Sequence, residues 1–312
     1  MAEEYNQFYD TVADAAAQAI ENEKVDGGLS ALPAPYLSGL KLEADVEIGD
    51  LVLNTIDEDG VVWVMTDIAN WWRQPDPELP SLRRGWGDGD YDATGRYNAR
   101  NITLTGSFLT QNPDQVAKAR DKLIKATDLV RKGNWLVVRE APTPKAAFVR
   151  LSGSPSIETV TARGRTNFSI GFKAADPVKY EWVGGANNYR SAGITSSSPP
   201  VVNQGNTKVS TIFQIFGPVS ASPASPISIV KSNSENFETE TVQIVDSLES
   251  GQTLEIDSLN REVLLVEDES VLSGRFKTDT LLDWLYLDPG ENFFTYSGSG
   301  SCRILYRSGW IG

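Results

Sequence analysis

The chain has 312 residues, enough for about two domains, and is 40% hydrophobic, enough for ordinary cores. It has no histidine, the commonest general base and metal ligand, and a formal charge of -14, which disfavours binding a nucleic-acid duplex through a basic face. Its single cysteine, Cys302, excludes an internal disulfide and reads as a small buried hydrophobe suited to assembly in a reducing cytoplasm. No apolar run reaches the ~18 residues of a membrane span, so no membrane anchor is expected.

The first residues, MAEEYNQFYD, are acidic where a signal peptide would be basic, and no apolar stretch follows, so a signal peptide is not expected. Residues 3–24 predict an amphipathic helix. Tyr5, Phe8, Val12, Ala15, Ala16, Ala19 and Ile20 recur at three-and-four spacing, and Asp26-Gly27-Gly28 ends it. Its narrow stripe serves either its own domain or a partner. We set residues 1–37 apart as an N-terminal helical extension.

From residue 38 the pattern turns to strands. Asp45–Asn54 and Val61–Thr66 flank Asp57-Glu58-Asp59-Gly60, and an Asp-Gly step between apolar runs is a hairpin signal. Ile102, Leu104 and Phe108 alternate with Thr103, Thr105 and Ser107 as a half-buried strand. The clearest helix follows over 113–132. Asn112 is placed to cap it, Pro113 to open it and Gly133 to close it, while Val116, Ala119, Leu123, Ala126, Thr127 and Val130 share one face. Its charged face reads as solvated. Further strands are expected at Trp135–Glu140, Ala146–Ser152, Ser156–Thr161 and Asn167–Ala174.

Residues 38–183 therefore read as one β-rich domain with a helix. Residues 184–200, rich in Gly, Ser, Asn and Pro, read as a linker. Residues 201–312 read as a β-sandwich of short strands at Val209–Phe216, Ile227–Lys231, Thr239–Val245, Thr253–Ile256, Val263–Val266, Leu281–Leu287, Asn292–Tyr296 and Arg303–Tyr306.

One stretch resists this regular reading. Between Trp71 and Leu109 lie about 30 residues of apparent loop, a length that is uncommon unless functional or disordered. Disordered segments are aromatic-poor, yet this one is rich in Trp, Tyr and Arg, the types enriched where protein surfaces bury against each other. Trp71, Trp72, Arg83, Arg84, Trp86, Tyr91, Arg96 and Tyr97 are the candidate subunit interface.

No constellation predicts catalysis. Asp57, Glu58 and Asp59 lie in a turn, and Glu267, Asp268 and Glu269 between strands, where carboxylates are normally solvated. Asp88, Asp90 and Asp92 alternate as in a calcium loop, but the twelfth position is Ala99 rather than a glutamate. Gly85, Gly87 and Gly89 precede no helix N-terminus, which a phosphate cradle requires. Ser152-Gly153-Ser154 has no histidine to act as base. The expectation is a protein that is not an enzyme and uses no cofactor and no metal.

Two stretches carry a resemblance. Trp63 to Leu109 ends in RGWGDGDYDATGRYNARNITLTGSFL. Leu281 to Trp310 contains Asp288-Pro289-Gly290-Glu291-Asn292 and closes on Tyr306-Arg307-Ser308-Gly309-Trp310. In order and spacing these resemble the siphophage distal tail protein family, often called minor tail proteins, with actinobacteriophage members the most similar. The resemblance spans about residues 40–312.

It implies a mainly β fold: an N-terminal ring-forming β-rich domain with one α-helix and a C-terminal galectin-like β-sandwich. It also implies a hexameric ring in the virion that joins the tail tube to the tail tip or baseplate, with DNA passing through and assembly in the host cytoplasm. The implied partners are further copies of itself, the major tail tube protein, tip or baseplate hub proteins and the tape-measure protein. Residues 1–37 depart from the family, whose members begin close to the first strand.

An acidic ring wall would repel passing DNA. Pro289, Gly290, Glu291, Asn292, Tyr306, Arg307 and Trp310 are expected to be structural, turning between strands and closing the sandwich. The competing reading is a carbohydrate-binding module acting in host attachment, with Trp284 and Trp310 as candidate platforms. A hydrolase is disfavoured for want of a catalytic set.

Overall fold

The computed structural model describes residues 44–88, 90–91, 94–111, 113–159, 165–184, 188–233, 239–267, 270–272 and 284–312. The expected helix over 3–24 and its capping glycines, the helix-capping Asn112 and the beginning of the expected strand Leu281–Leu287 lie outside them. The described residues are mainly strands, with one α-helix. They fall into two compact units, those within 44–73, 98–144 and 148–175 in the first, and those within 74–97, 145–147 and 176–312 in the second.

The first unit is a sheet covered by the helix. Its strands are β1 (Ala44–Ile48), β2 (Leu51–Val52), β3 (Thr55–Ile56), β4 (Val62–Ala69), β9 (Arg100–Leu109), β10 (Asn134–Glu140), β11 (Lys145–Leu151, whose first three residues are counted with the second unit), β12 (Ser156–Thr159) and β13 (Arg165–Ala174). They run in the order β2-β1-β10-β11-β13-β9-β4-β3, with β12 added on β13. The expected strand Asp45–Asn54 is broken because Gly49 and Asn54 adopt positive φ, and the chain turns there into β2 and then β3. The expected hairpin forms, with Thr55 opposite Trp63 and Ile56 opposite Val62.

Alternation on β9 and β13 sends Ile102, Leu104, Phe108, Phe168, Ile170 and Phe172 inward, where all are buried. Trp63 packs on Phe108 and Phe168 at ring distances of 5.1 and 6.4 Å. A Cβ on Gly106 would come within 2.4 Å of the Phe168 ring and 2.5 Å of the Val64 carbonyl, so only glycine lets these strands close over the aromatic cluster.

The helix α1 (Pro113–Arg131) buries Ala119, Leu123, Ala126, Thr127 and Val130, while Val116 is half-buried. Gly133, at φ 106°, terminates it and donates to the Val130 carbonyl. The charged face departs from the simple solvated picture. Lys122 reaches Asp57 at 2.9 Å, Lys125 reaches Asp50 at 2.9 Å and Lys118 reaches Asp59 at 3.9 Å.

Asp57 is the hub of that arrangement and corrects the reading of its turn as solvated. It accepts from the amides of Asp59 and Val61, from Trp63 Nε1 and from Lys122 Nζ. Burial opposes its charge, but the hydrogen bonds from Trp63, Lys122 and Val61 outweigh it and hold the carboxyl below its ordinary pKa.

The second unit contains two larger sheets. One has the order β15-β26-β18-β21-β22-β23, from β15 (Arg190–Ile194), β26 (Ser301–Tyr306), β18 (Ile212–Phe216), β21 (Gln252–Asp257), β22 (Glu262–Glu267) and β23 (Ser270–Leu272). The other has the order β16-β25-β19-β20, from β16 (Val201–Asn203), β25 (Gly290–Ser297), β19 (Ile227–Asn233) and β20 (Thr239–Ile244). Phe213 of the first sheet meets Phe294 of the second edge to face at 5.3 Å, and buried Ile215, Leu254, Ile304, Ile229 and Val242 extend the apolar layers.

Within the stretch expected as a linker, β15 pairs with β26 over five residues, because Arg190–Ile194 completes a sheet edge. The expected strand Val209–Phe216 divides into β17 (Val209–Ser210) and β18 at Thr211. That residue is fully buried and donates its hydroxyl to the Leu285 carbonyl, while β17 pairs with β24 (Tyr286–Leu287).

Candidate assembly surfaces

The anomalous stretch is built as an arm. In the second unit β5 (Pro77–Glu78) pairs with β8 (Arg96–Tyr97), and β6 (Leu82–Arg83) pairs with β7 (Asp90–Tyr91). The segment is thus a narrow antiparallel ribbon with its turn over Arg84–Asp88. A two-stranded ribbon is marginal alone. Gln74 Nε2 donates to the Tyr97 hydroxyl, Ser81 Oγ donates to Asp90 Oδ2 at 2.6 Å, and Arg84 lies 5.9 Å above the Tyr91 ring.

The ribbon leaves its largest apolar side chains in solvent. Trp86 is 95% exposed and Leu79 71%, and Tyr91 and Tyr97 are also exposed. Arg83, Arg84 and Arg96 are exposed beside them. The structure therefore brings six of the eight interface candidates onto one ribbon.

The other two stand apart, in the first unit. Trp72 is exposed but tethered, its Nε1 donating to Glu140 at 2.9 Å. Trp71 is fully buried in the core of its own chain and leaves the interface set. The reason is the turn that leaves β4: Trp71 lies two residues past the strand, where Arg100 holds the backbone. Arg100 is itself 2% exposed and donates through Nη1 to the carbonyls of Asn70, Trp71 and Arg73. Burial lowers its pKa, yet a guanidinium stays charged.

Arg100 is thus an anchor that the sequence reading placed only among the loop's arginines. The signal was available, since Arg100 continues the inward alternation of Ile102 and Leu104.

Of the Asp88–Asp92 run, Asp88 and Asp90 lie on the turn side of the ribbon. Its Asp90 carboxylate is engaged by Ser81, and Gly89 and Asp92 are outside the described residues. Among the described residues no group of three acidic, Cys or His side chains could hold a metal ion.

The C-terminal motif is knitted into the second unit. Gly290 has φ 89° at the start of β25. Asn292 is fully buried, accepts from the Asp288 amide and donates to the Asp288 and Gly290 carbonyls, while Glu291 is exposed. Pro289 is exposed in the turn and Tyr306 is half-buried at the end of β26.

Arg307 is buried between two rings, 3.7 Å from Tyr180 and 4.7 Å from Tyr189. The pKa of Tyr180 is raised, first by burial and then by the Asp176 carboxylate, to which its hydroxyl donates. Trp310 lies on β27 (Gly309–Trp310), which pairs with β14 (Lys179–Glu181), and Lys145 of this unit sits 5.1 Å above its ring. A Cβ on Gly205 would fall 1.7 Å from the Gly309 carbonyl oxygen, so this strand is threaded where only glycine fits. These contacts account for the motif without a ligand.

The described residues thus comprise a helix-covered sheet, a two-stranded ribbon and a two-sheet C-terminal unit, a mainly β protein with one α-helix. The more particular assignment comes from comparison. Residues 204–310 match the SPP1 Dit family model, described as the C-terminal domain of a siphovirus-type tail component.

The fold is similar to that of the crystal structure of the SPP1 Dit (gp 19.1) protein, described as a hub adsorption apparatus in phages that infect Gram-positive bacteria. The TM-score is 0.55 at 12% identity, covering 85% of this chain and 98% of that one. The phage P2 baseplate in its activated conformation with Ca gives a TM-score of 0.46 at 10% identity, covering 85% and 98%. No curated protein sequence matches the chain. The chain thus has the fold of a siphophage distal tail protein, which bears out the resemblance read from the sequence.

Proposed function

We propose that this protein is a structural, non-enzymatic component of a siphophage tail. It forms a ring, six-fold by family resemblance, that joins the tail tube to the tail tip or baseplate and lets DNA pass through its lumen. The observation that carries this reading is the ribbon over residues 74–97. It exposes Leu79, Trp86, Tyr91 and Tyr97 beside three arginines on a structure too thin to bury them itself.

In a ring, each copy's ribbon meets a different surface of the next, a heterologous contact that closes by rotation. Six copies carry six times a formal charge of -14, so an acidic inner wall would let the DNA backbone slide without adhering. The tube, hub and tape-measure proteins are the expected partners, and the place of action is the virion after assembly in the host cytoplasm.

Light scattering after size exclusion, followed by negative-stain imaging, tests this reading. The wild type should give rings, alone or when seeded with tail-tube protein. Arg96→Glu, or removal of Gly85–Gly95, should give folded monomers. Rings that persist in both variants would place the subunit boundary elsewhere.

A further inference from the structure

The outward face of the first unit's sheet carries a groove that assembly does not explain. It has a volume of about 320 Å³ and lies over β4, β9, β13 and β12. Three local features make it concave. The register of β4 against β9 slips between Met65 and Asp67, a bulge that inserts Thr66. Bulges re-aim side chains, and the Thr66 hydroxyl here meets that of Thr105 at 3.2 Å. Gly106, paired with Met65 beside the bulge, also lines the groove. The next strands contribute short groups, Ser169 opposite both Thr105 and Ser156.

Two long charged side chains frame these short ones. Glu158 stands directly across from Asn167 in the β12–β13 ladder, and Arg165 lies two residues before Asn167 on β13. All three line the groove. The Arg165 Nε is shielded from solvent and has no hydrogen-bond partner among the described residues.

We propose that this groove is a binding site for a short neutral saccharide. A carboxylate facing a carboxamide, with a guanidinium beside them, offers planar acceptors and donors suited to vicinal hydroxyls. The rows of threonine and serine hydroxyls add groups that both donate and accept. The volume lies at the small end of the range for ligand pockets and fits one or two sugar rings. Glu158 disfavours polyanions, which separates this site from any contact with nucleic-acid phosphates. The site lies wholly within the first unit. It is also distinct from Trp284 and Trp310, the platforms a sugar would use in the second unit.

The test is heteronuclear NMR or calorimetric titration of the full chain with a panel of neutral mono- and disaccharides. Affinity should be weak, with Kd on the order of 1 mM, since Phe168, the aromatic residue in the groove's lining, is 3% exposed and offers little ring face to a sugar. Asn167→Ala should weaken binding by at least about tenfold. Ser169→Trp, an outward strand position, should abolish binding by filling the groove. Trp310→Ala should leave it unchanged. Circular dichroism melts of each variant separate lost binding from lost fold, and Glu158→Gln, nearly isosteric, provides a second reading of the same contact.

Absence of binding to every saccharide at 20-fold the expected Kd (on the order of 20 mM) overturns the proposal. So does binding lost in Trp310→Ala but kept in Asn167→Ala and Ser169→Trp, which moves sugar recognition to the second unit. Binding to inorganic phosphate or acidic peptide in preference to neutral sugars also overturns it. Ring formation, read separately by light scattering, stands or falls without affecting these outcomes.

Discussion

Trp71 and Trp86 lie fifteen positions apart in one stretch of sequence and end in opposite environments. Trp71 is fully buried at the end of β4, and the backbone carbonyl it carries is one of three held by Arg100. Trp86 is 95% exposed near the turn of a ribbon only two strands wide. The difference teaches that aromatic richness in a long loop mixes two purposes. At the root it anchors the loop in a core; toward the tip it stays exposed, the surface that the proposed assembly would use.

Substitutions at the two ends should therefore separate stability from assembly. The largest effect is expected at the root. Trp71→Ala should cost about 3–5 kcal/mol of unfolding free energy, measured by denaturant titration. A cost below about 1 kcal/mol would contradict its role as core. Arg100→Met should cost about 2–3 kcal/mol, because the carbonyls of Asn70, Trp71 and Arg73 lose a charged donor.

Asp57 comes next. Its carboxyl is held below the ordinary range in the folded state and returns to that range on unfolding. Its contribution is therefore fully present above about pH 4 and lost as pH falls through the lowered value. Asp57→Asn should flatten the acid limb of a stability-versus-pH curve. An unchanged limb would assign acid sensitivity to other carboxylates. Asp57→Ala at neutral pH should cost about 1–3 kcal/mol, since Trp63 Nε1 and the Val61 amide lose their acceptor.

At the tip, Trp86→Ala should change stability by less than about 0.5 kcal/mol while weakening assembly, read by comparing melts with light scattering. The smallest perturbation is chemical. Burial pushes the Cys302 thiol up to about 12, so alkylation at pH 8 should proceed only as fast as the second unit opens. Rapid labelling of native protein would show that β26 is loosely held.

Much of the architecture was legible along the chain. The α1 helix announced itself through Pro113, the apolar positions from Ala119 to Val130, and Gly133. The paired strands β9 and β13 did so through strict alternation. In the C-terminal motif, Asn292 organises the turn through its bonds with Asp288, while Glu291 is exposed. Other features were hidden because they depend on partners distant in sequence. Asp57 reads as a turn carboxylate, and only the docking of α1 brings Lys122 to it from 65 positions away. Arg190–Ile194 reads as linker because its Ser, Ala and Gly residues have little strand propensity, and its ladder partner β26 lies more than a hundred residues on.

The groove on the first unit belongs to the same class. Its residues come from β4, β9, β12 and β13, and no local pattern joins Thr66 to Glu158. The sequence by itself determined the periodicities, the helix ends and the aromatic wealth of residues 71–109, because these follow from local backbone geometry and side-chain type. Tertiary structure alone decided which of those aromatics are core and which are surface, and which carboxylates are partnered. Burial and pairing are properties of neighbours brought together by strand register, and register is set over the whole sheet.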